Sequence, residues 1–118
     1  MSTENHINYV ELPAKDLEQI KRFYTDVFSW TFIDYGPDYV AFSNAGLDGG
    51  FFKSDLSATT QAGSALVVLY SHQLEGVRAR VIEHGGTLSQ DIFSFPGGRR
   101  FQFFDPSGNE LAVWTTTE

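Results

Sequence analysis

Glu11 is the residue whose type and place best suit proton transfer. It lies in the run Asn8-Tyr9-Val10-Glu11-Leu12. Side chains alternate along a strand, so Tyr9 and Glu11 share one face. A carboxylate in an aromatic cup has its pKa raised by desolvation, which suits proton abstraction near neutral pH. Arg100 and Gln102 offer different chemistry. Counted back from Asp105, Arg100, Gln102 and Phe104 share one face, and Phe101 and Phe103 take the other. A guanidinium in a cup pairs with a carboxylate or phosphonate through a bidentate fork. The same group exposed beside an acidic surface contributes little, and one facing Glu11 would oppose its pKa rise. Tyr9, Phe52, Phe104 and Trp114 are candidate walls for a small organic ligand, with core packing as the alternative for each ring.

Other chemistries find little support. His6, His72 and His84 show no H-x-x-x-H or H-E-x-x-H spacing. With no cysteine, thiolate nucleophiles, disulfides and cysteine metal sites are all excluded. No Ser-His-Asp arrangement is legible, and Gly97-Gly98-Arg99-Arg100 lacks the Lys-Ser/Thr of a phosphate-cradling loop. No cofactor is therefore expected. The formal charge of −7 argues against nucleic acid and anionic membrane as partners. Met1 to His6 is polar with no apolar core of a signal peptide, so a cytoplasmic protein is the expectation.

The elements that must position these residues follow from periodicity. Ile7 to Leu12 reads as a strand ended by Pro13. Asp16 caps a helix whose apolar face is Leu17, Ile20, Phe23, Tyr24, Val27 and Phe28. Strands follow at Trp30 to Ile33, Tyr39 to Ser43 and Leu47 to Phe52, with Lys53 to Gly63 as a connection. Ala65 to Tyr70 begins a second series. Its helix carries Leu74, Val77, Val81 and Ile82 and ends at Gly85-Gly86. Strands are predicted from Thr87, over Arg100 to Phe104, and over Glu110 to Thr115. Pro96-Gly97-Gly98 reads as a loop, and Asp105-Pro106-Ser107-Gly108 as a type I turn.

The chain reads as one pattern written twice. Val10 recurs as Val67, Leu12 as Leu69 and Glu18 as Glu75; a slightly longer offset relates Gly36 to Gly98, Phe42 to Phe104 and Gly46 to Gly108. A duplicated unit folds about a pseudo-twofold axis, and the groove between copies suits a ligand. At 118 residues and 42% hydrophobic, the chain fits a single domain over 1–118, with units at about 5–53 and 64–116.

Asn8 to Leu17 running into Arg22-Phe23-Tyr24, Glu83-His84-Gly85-Gly86, and Phe104-Asp105-Pro106-Ser107-Gly108-Asn109 together resemble the vicinal oxygen chelate superfamily. Its small members are similar to glyoxalase and bleomycin resistance proteins. The resemblance implies an α+β fold, tandem βαβββ units whose mixed sheets curl into a cup, and a homodimer. Metal-using members hold a divalent ion with four His or Glu side chains. The matching positions here are Tyr9, Leu66, Gly50 and Ala112, of which only Tyr9 carries a donor atom. A displaced carboxylate set of Glu11, Asp48 and Glu110 is the alternative. The expected function is metal-independent binding of a small organic molecule in an aromatic cup, an anionic one where Arg100 turns into the cup. The rival expectation is an enzyme resembling lactoylglutathione lyase, with a displaced metal or with Glu11 as general base.

Overall fold

The computed structural model describes residues 2–116; Met1, Thr117 and Glu118, the ends of the domain predicted over 1–118, lie outside the described residues. The first unit runs β1 (Tyr9–Ala14), α1 (Leu17–Phe28), β2 (Thr31–Asp34), β3 (Tyr39–Ser43) and β4 (Asp48–Lys53). The second runs β5 (Val67–Tyr70), α2 (Leu74–Glu83), β6 (Thr87–Phe95), β7 (Gly98–Phe104) and β8 (Glu110–Thr116). Each unit folds into one four-stranded sheet, in the orders β1-β4-β3-β2 and β5-β8-β7-β6. The first strand of each unit pairs in parallel with the last, and the remaining pairs are antiparallel. None of the described helices is long and apolar enough to cross a membrane.

Helix α1 forms where the apolar spacing places it. Asp16 accepts a hydrogen bond from the Gln19 amide at 3.1 Å, and Ser29 stops the helix in a left-handed conformation with φ 63°. Its buried face touches both sheets. Tyr24 packs on Phe51 of β4, while Phe23 and Phe28 pack on Phe103 of β7. The helix-facing sides of the two sheets thus share a single core that includes Leu12, Val40, Phe51, Phe101, Phe103 and Val113. Most phenylalanines of the chain serve this core.

Two expectations are corrected. Pro13 does not end the first strand, which continues to Ala14 with Pro13 opposite Phe52. As an edge strand, β1 tolerates a residue without an N–H, and the Pro13 carbonyl accepts from Asn109 at 2.7 Å. Gly98 is not loop but the first residue of β7, paired with Phe95 and Thr116. A side chain there would collide with the carbonyl of Thr115, so only glycine fits this close approach.

The units are latched by the turn before β8. Asp105 is buried and accepts from Tyr24 Oη at 2.8 Å, from Asn109 Nδ2 at 3.1 Å, and from the Ser107 and Asn109 amides. Burial pushes the Asp105 carboxyl up from its ordinary value, against the pull of these donors. Lys15 adds a second tie, donating to Ser57 and to the Ser107 carbonyl.

Candidate functional site

Because both sheets turn one side toward the helices, each leaves its other side free. On the first sheet that free face carries Tyr9 and Glu11 of β1, Tyr39 and Ala41 of β3, and Asp48, Gly50 and Phe52 of β4. On the second sheet it carries Arg100, Gln102 and Phe104 of β7, and Ala112 and Trp114 of β8, with Val68 and Tyr70 of β5. The predicted site residues therefore fall into two groups. The structure brings Tyr9, Glu11 and Phe52 onto one face and Arg100, Gln102, Phe104 and Trp114 onto the other. The faces lie on opposite sides of the shared core, so Phe52 and Trp114 do not stack; Trp114 packs instead on Tyr70 and Phe95. Glu11 is exposed in the single chain rather than enclosed.

On the first face, Tyr39 was not anticipated. Its hydroxyl donates to Glu11 Oε2 at 2.9 Å and lies 2.7 Å from Tyr9 Oη. The ring leans from beside Phe52 across Gly50, where a Cβ would collide with its hydroxyl. Desolvation, followed by the bonds to Tyr9 and Glu11, holds the Tyr39 phenol well above its ordinary pKa. The only signal in the sequence was indirect: a glycine at a position that strand alternation turns to the free face.

On the second face, a hydrogen-bonded row runs along β7 and β8. Arg100 Nη2 donates to Gln102 Oε1 at 2.9 Å, and Gln102 Nε2 donates to Glu110 Oε2 at 3.0 Å. Glu110 also accepts from the Thr60 amide, the Thr60 hydroxyl and the Ser89 hydroxyl. Burial raises its carboxyl, but these donors together outweigh burial and hold it below the ordinary value. Arg100 has no carboxylate partner among the described residues; its guanidinium lies 5.4 Å from the Phe93 ring centre, and its buried Nε has no hydrogen-bond partner. Phe93, like Tyr39, was not among the residues that the sequence singled out.

The residues do not fit a family-type metal centre. Gly50 and Ala112 have no donor, and the space above Gly50 holds the Tyr39 hydroxyl. The displaced set does not assemble either. Glu110 is saturated by its own donors on the second sheet, away from Glu11 and Asp48 on the first, and among the described residues no three His, Asp or Glu side chains cluster in a metal-holding geometry.

A depression of about 480 Å³ lies where the free edges of β1 and β5 approach each other, lined by residues including Val10, Leu12, Trp30, Phe42, Val67 and Leu69. It is mostly apolar and adjoins the second face, since Val68 and Tyr70 line it as well.

Two duplicated βαβββ units with free faces of this kind define a family of proteins, and the comparisons agree. The profile of the Glyoxalase/Bleomycin resistance protein/Dioxygenase superfamily matches residues 6–113, so the chain belongs to that superfamily. Similar solved structures include a glyoxalase-related enzyme from Fulvimarina pelagi, at 21% identity and TM-score 0.73, covering 95% of this chain and 88% of that one. The fosfomycin resistance protein FosX from Listeria monocytogenes is 18% identical with TM-score 0.79, covering 98% of this chain and 96% of that one. A FosX E126Q mutant complexed with Mn(II) and 1S,2S-dihydroxypropylphosphonic acid is 17% identical with TM-score 0.78, covering 95% and 90%. At these identities the likeness is one of fold. No curated protein matches the sequence.

Proposed function

We propose that the protein binds a small organic molecule carrying a carboxylate or phosphonate, without a metal ion, in a cup completed by a second copy of the chain. The whole chain, 1–118, acts as one binding domain with repeat units at about 5–53 and 64–116. Arg100 carries the reading. A guanidinium beside Phe93, with a buried Nε lacking any partner, is poorly satisfied as it stands. A forked oxyanion supplies the missing acceptors, and Gln102 holds the guanidinium in place from one side. Tyr70, Phe95 and Trp114 give the ligand an aromatic wall.

The second copy is needed because a single chain leaves both faces open. The first face carries Glu11 and Asp48, and the second carries Arg100 beside Glu110, whose carboxylate is occupied by its own donors, so Arg100 is the group that can meet the acidic face of another copy. A twofold dimer would set the first face of each copy against the second face of the other and close two cups. It would also cover the free edges of β1 and β5, where Val68 and Tyr70 are each 43% exposed. The absence of cysteine suits a reducing compartment, and we place the protein in the cytoplasm.

Sedimentation velocity over a wide concentration range tests the assembly. A dimer is expected, and a monomer at every concentration would overturn the shared cup. If turnover accompanies binding, Glu11 is the base, because its carboxylate is presented at the open face. Glu11→Gln would then abolish turnover while keeping the binding of an acid at Arg100.

A further inference from the structure

The pole of the cup opposite Arg100 has its own chemistry, and proton counting defines it. Tyr39 has one hydroxyl proton and donates it to Glu11 Oε2 at 2.9 Å. The 2.7 Å contact between Tyr39 and Tyr9 must then use the proton of Tyr9. Both phenolic protons are spent inside the triad. What remains for a ligand is acceptors: the lone pairs of Tyr9 Oη and the second oxygen of Glu11. Glu11 forms no ion pair among the described residues. The side chains that share this face across the strand register, Asp48, Ala41, Ile33 and Phe52, include no cation.

We infer that the Tyr9–Tyr39–Glu11 triad is a recognition site for a hydrogen-bond-donating cationic group, a primary ammonium or an amidinium, on the bound molecule. The space that a fourth side chain at Gly50 would fill holds the phenol instead. Tyr39 is a positioning residue: it fixes Glu11 and Tyr9 with their acceptors outward and does not itself meet the ligand. A free anion is repelled at this pole and attracted at Arg100. Resting on the shared-cup reading, the ligand class narrows to small zwitterions with an amine at one end, an acid at the other and an apolar or aromatic body between.

The test compares three probes by calorimetric titration of the intact protein: para-(aminomethyl)benzoate with both groups, para-methylbenzoate with the acid alone, and para-methylbenzylamine with the amine alone. The zwitterion is expected to bind on the order of tenfold or more tighter than the acid, the scale of one charge-assisted hydrogen bond. Tyr39→Phe keeps the ring over Gly50 and removes both hydrogen bonds. It is expected to reduce that ratio toward unity while leaving the acid-only probe and the melting temperature nearly unchanged, which a merely structural role would not do. Equal binding of zwitterion and acid by the unaltered protein, or an undiminished ratio in Tyr39→Phe, would overturn the inference. If the protein is monomeric and neither acid binds, the cup reading fails by itself. The amine-only probe then decides: NMR signals of Tyr9 and Tyr39 should move with it in the unaltered protein and not in Glu11→Gln, and unmoved signals would overturn the triad's role.

Discussion

Tyr39 and Gly50 occupy one volume: the phenol ring lies across the glycine, and neither position can be enlarged while the other stays in place. The hydrogen bonds that Tyr39 makes to Glu11 and Tyr9 depend on that clearance. A Gly50→Ala substitution should push the ring aside, break the triad and lower stability by about 1–3 kcal/mol, as overpacking does. Gly50→Ala combined with Tyr39→Ala should cost less than the sum of the two single changes, since the clash with the ring disappears and only the close approach to the Val40 carbonyl remains. Urea denaturation of the four proteins measures this coupling; strict additivity would contradict the packing.

Glu110 gives a pH prediction. Its carboxyl lies below the ordinary glutamate value of 4.5, because the donors from Thr60, Ser89 and Gln102 outweigh burial. A group whose folded pKa is depressed adds stability that is fully present above the unfolded value and lost as pH falls through the folded one. Glu110→Gln should therefore cost about 1–3 kcal/mol at neutral pH, with the difference shrinking below about pH 4.5. Thermal melting of both proteins across that range checks it.

The latch between the units predicts a third effect. Asn109 is fully buried and donates to both the Pro13 carbonyl and Asp105. Asn109→Ala removes the side-chain partner of the Pro13 carbonyl and of the Ala58 amide, while Asp105 keeps its bonds from Tyr24 and the turn amides, and should destabilise by about 1–3 kcal/mol. Chemical denaturation should show this loss with little change in the binding of an acid at Arg100, on the far side of the second sheet.

Arg100→Lys separates fork geometry from charge. Lysine keeps the positive charge but has no planar pair of donors. Affinity for para-methylbenzoate should fall on the order of tenfold, about 1.4 kcal/mol, with stability unchanged or improved, because the orphaned Nε is removed. Calorimetric titration beside a melting curve reads both.

The fold was legible because its signals are local. Asp16 before a helical stripe, Gly85 after the second helix, and the Asp105 to Gly108 turn each announce an element end through their own backbone needs. Pro13 misled because a proline breaks a central strand but is tolerated on an edge, and edge position is a tertiary fact. Strand alternation also placed Arg100 and Gln102 together on the side away from Phe101 and Phe103. It did not reveal that the two faces turn apart, because this follows from α1 packing on both sheets through Tyr24, Phe23 and Phe28. Tyr39 escaped notice for a similar reason. Its reach across Gly50 to Glu11 joins three strands, and no spacing along the chain encodes that diagonal.

Titration of chelator-treated protein with para-methylbenzoate tests the central claim most directly. Saturable binding that is unchanged when Mn(II) is restored, and lost in Arg100→Ala, is the predicted result. Binding that appears only after a stoichiometric divalent ion is added would contradict it.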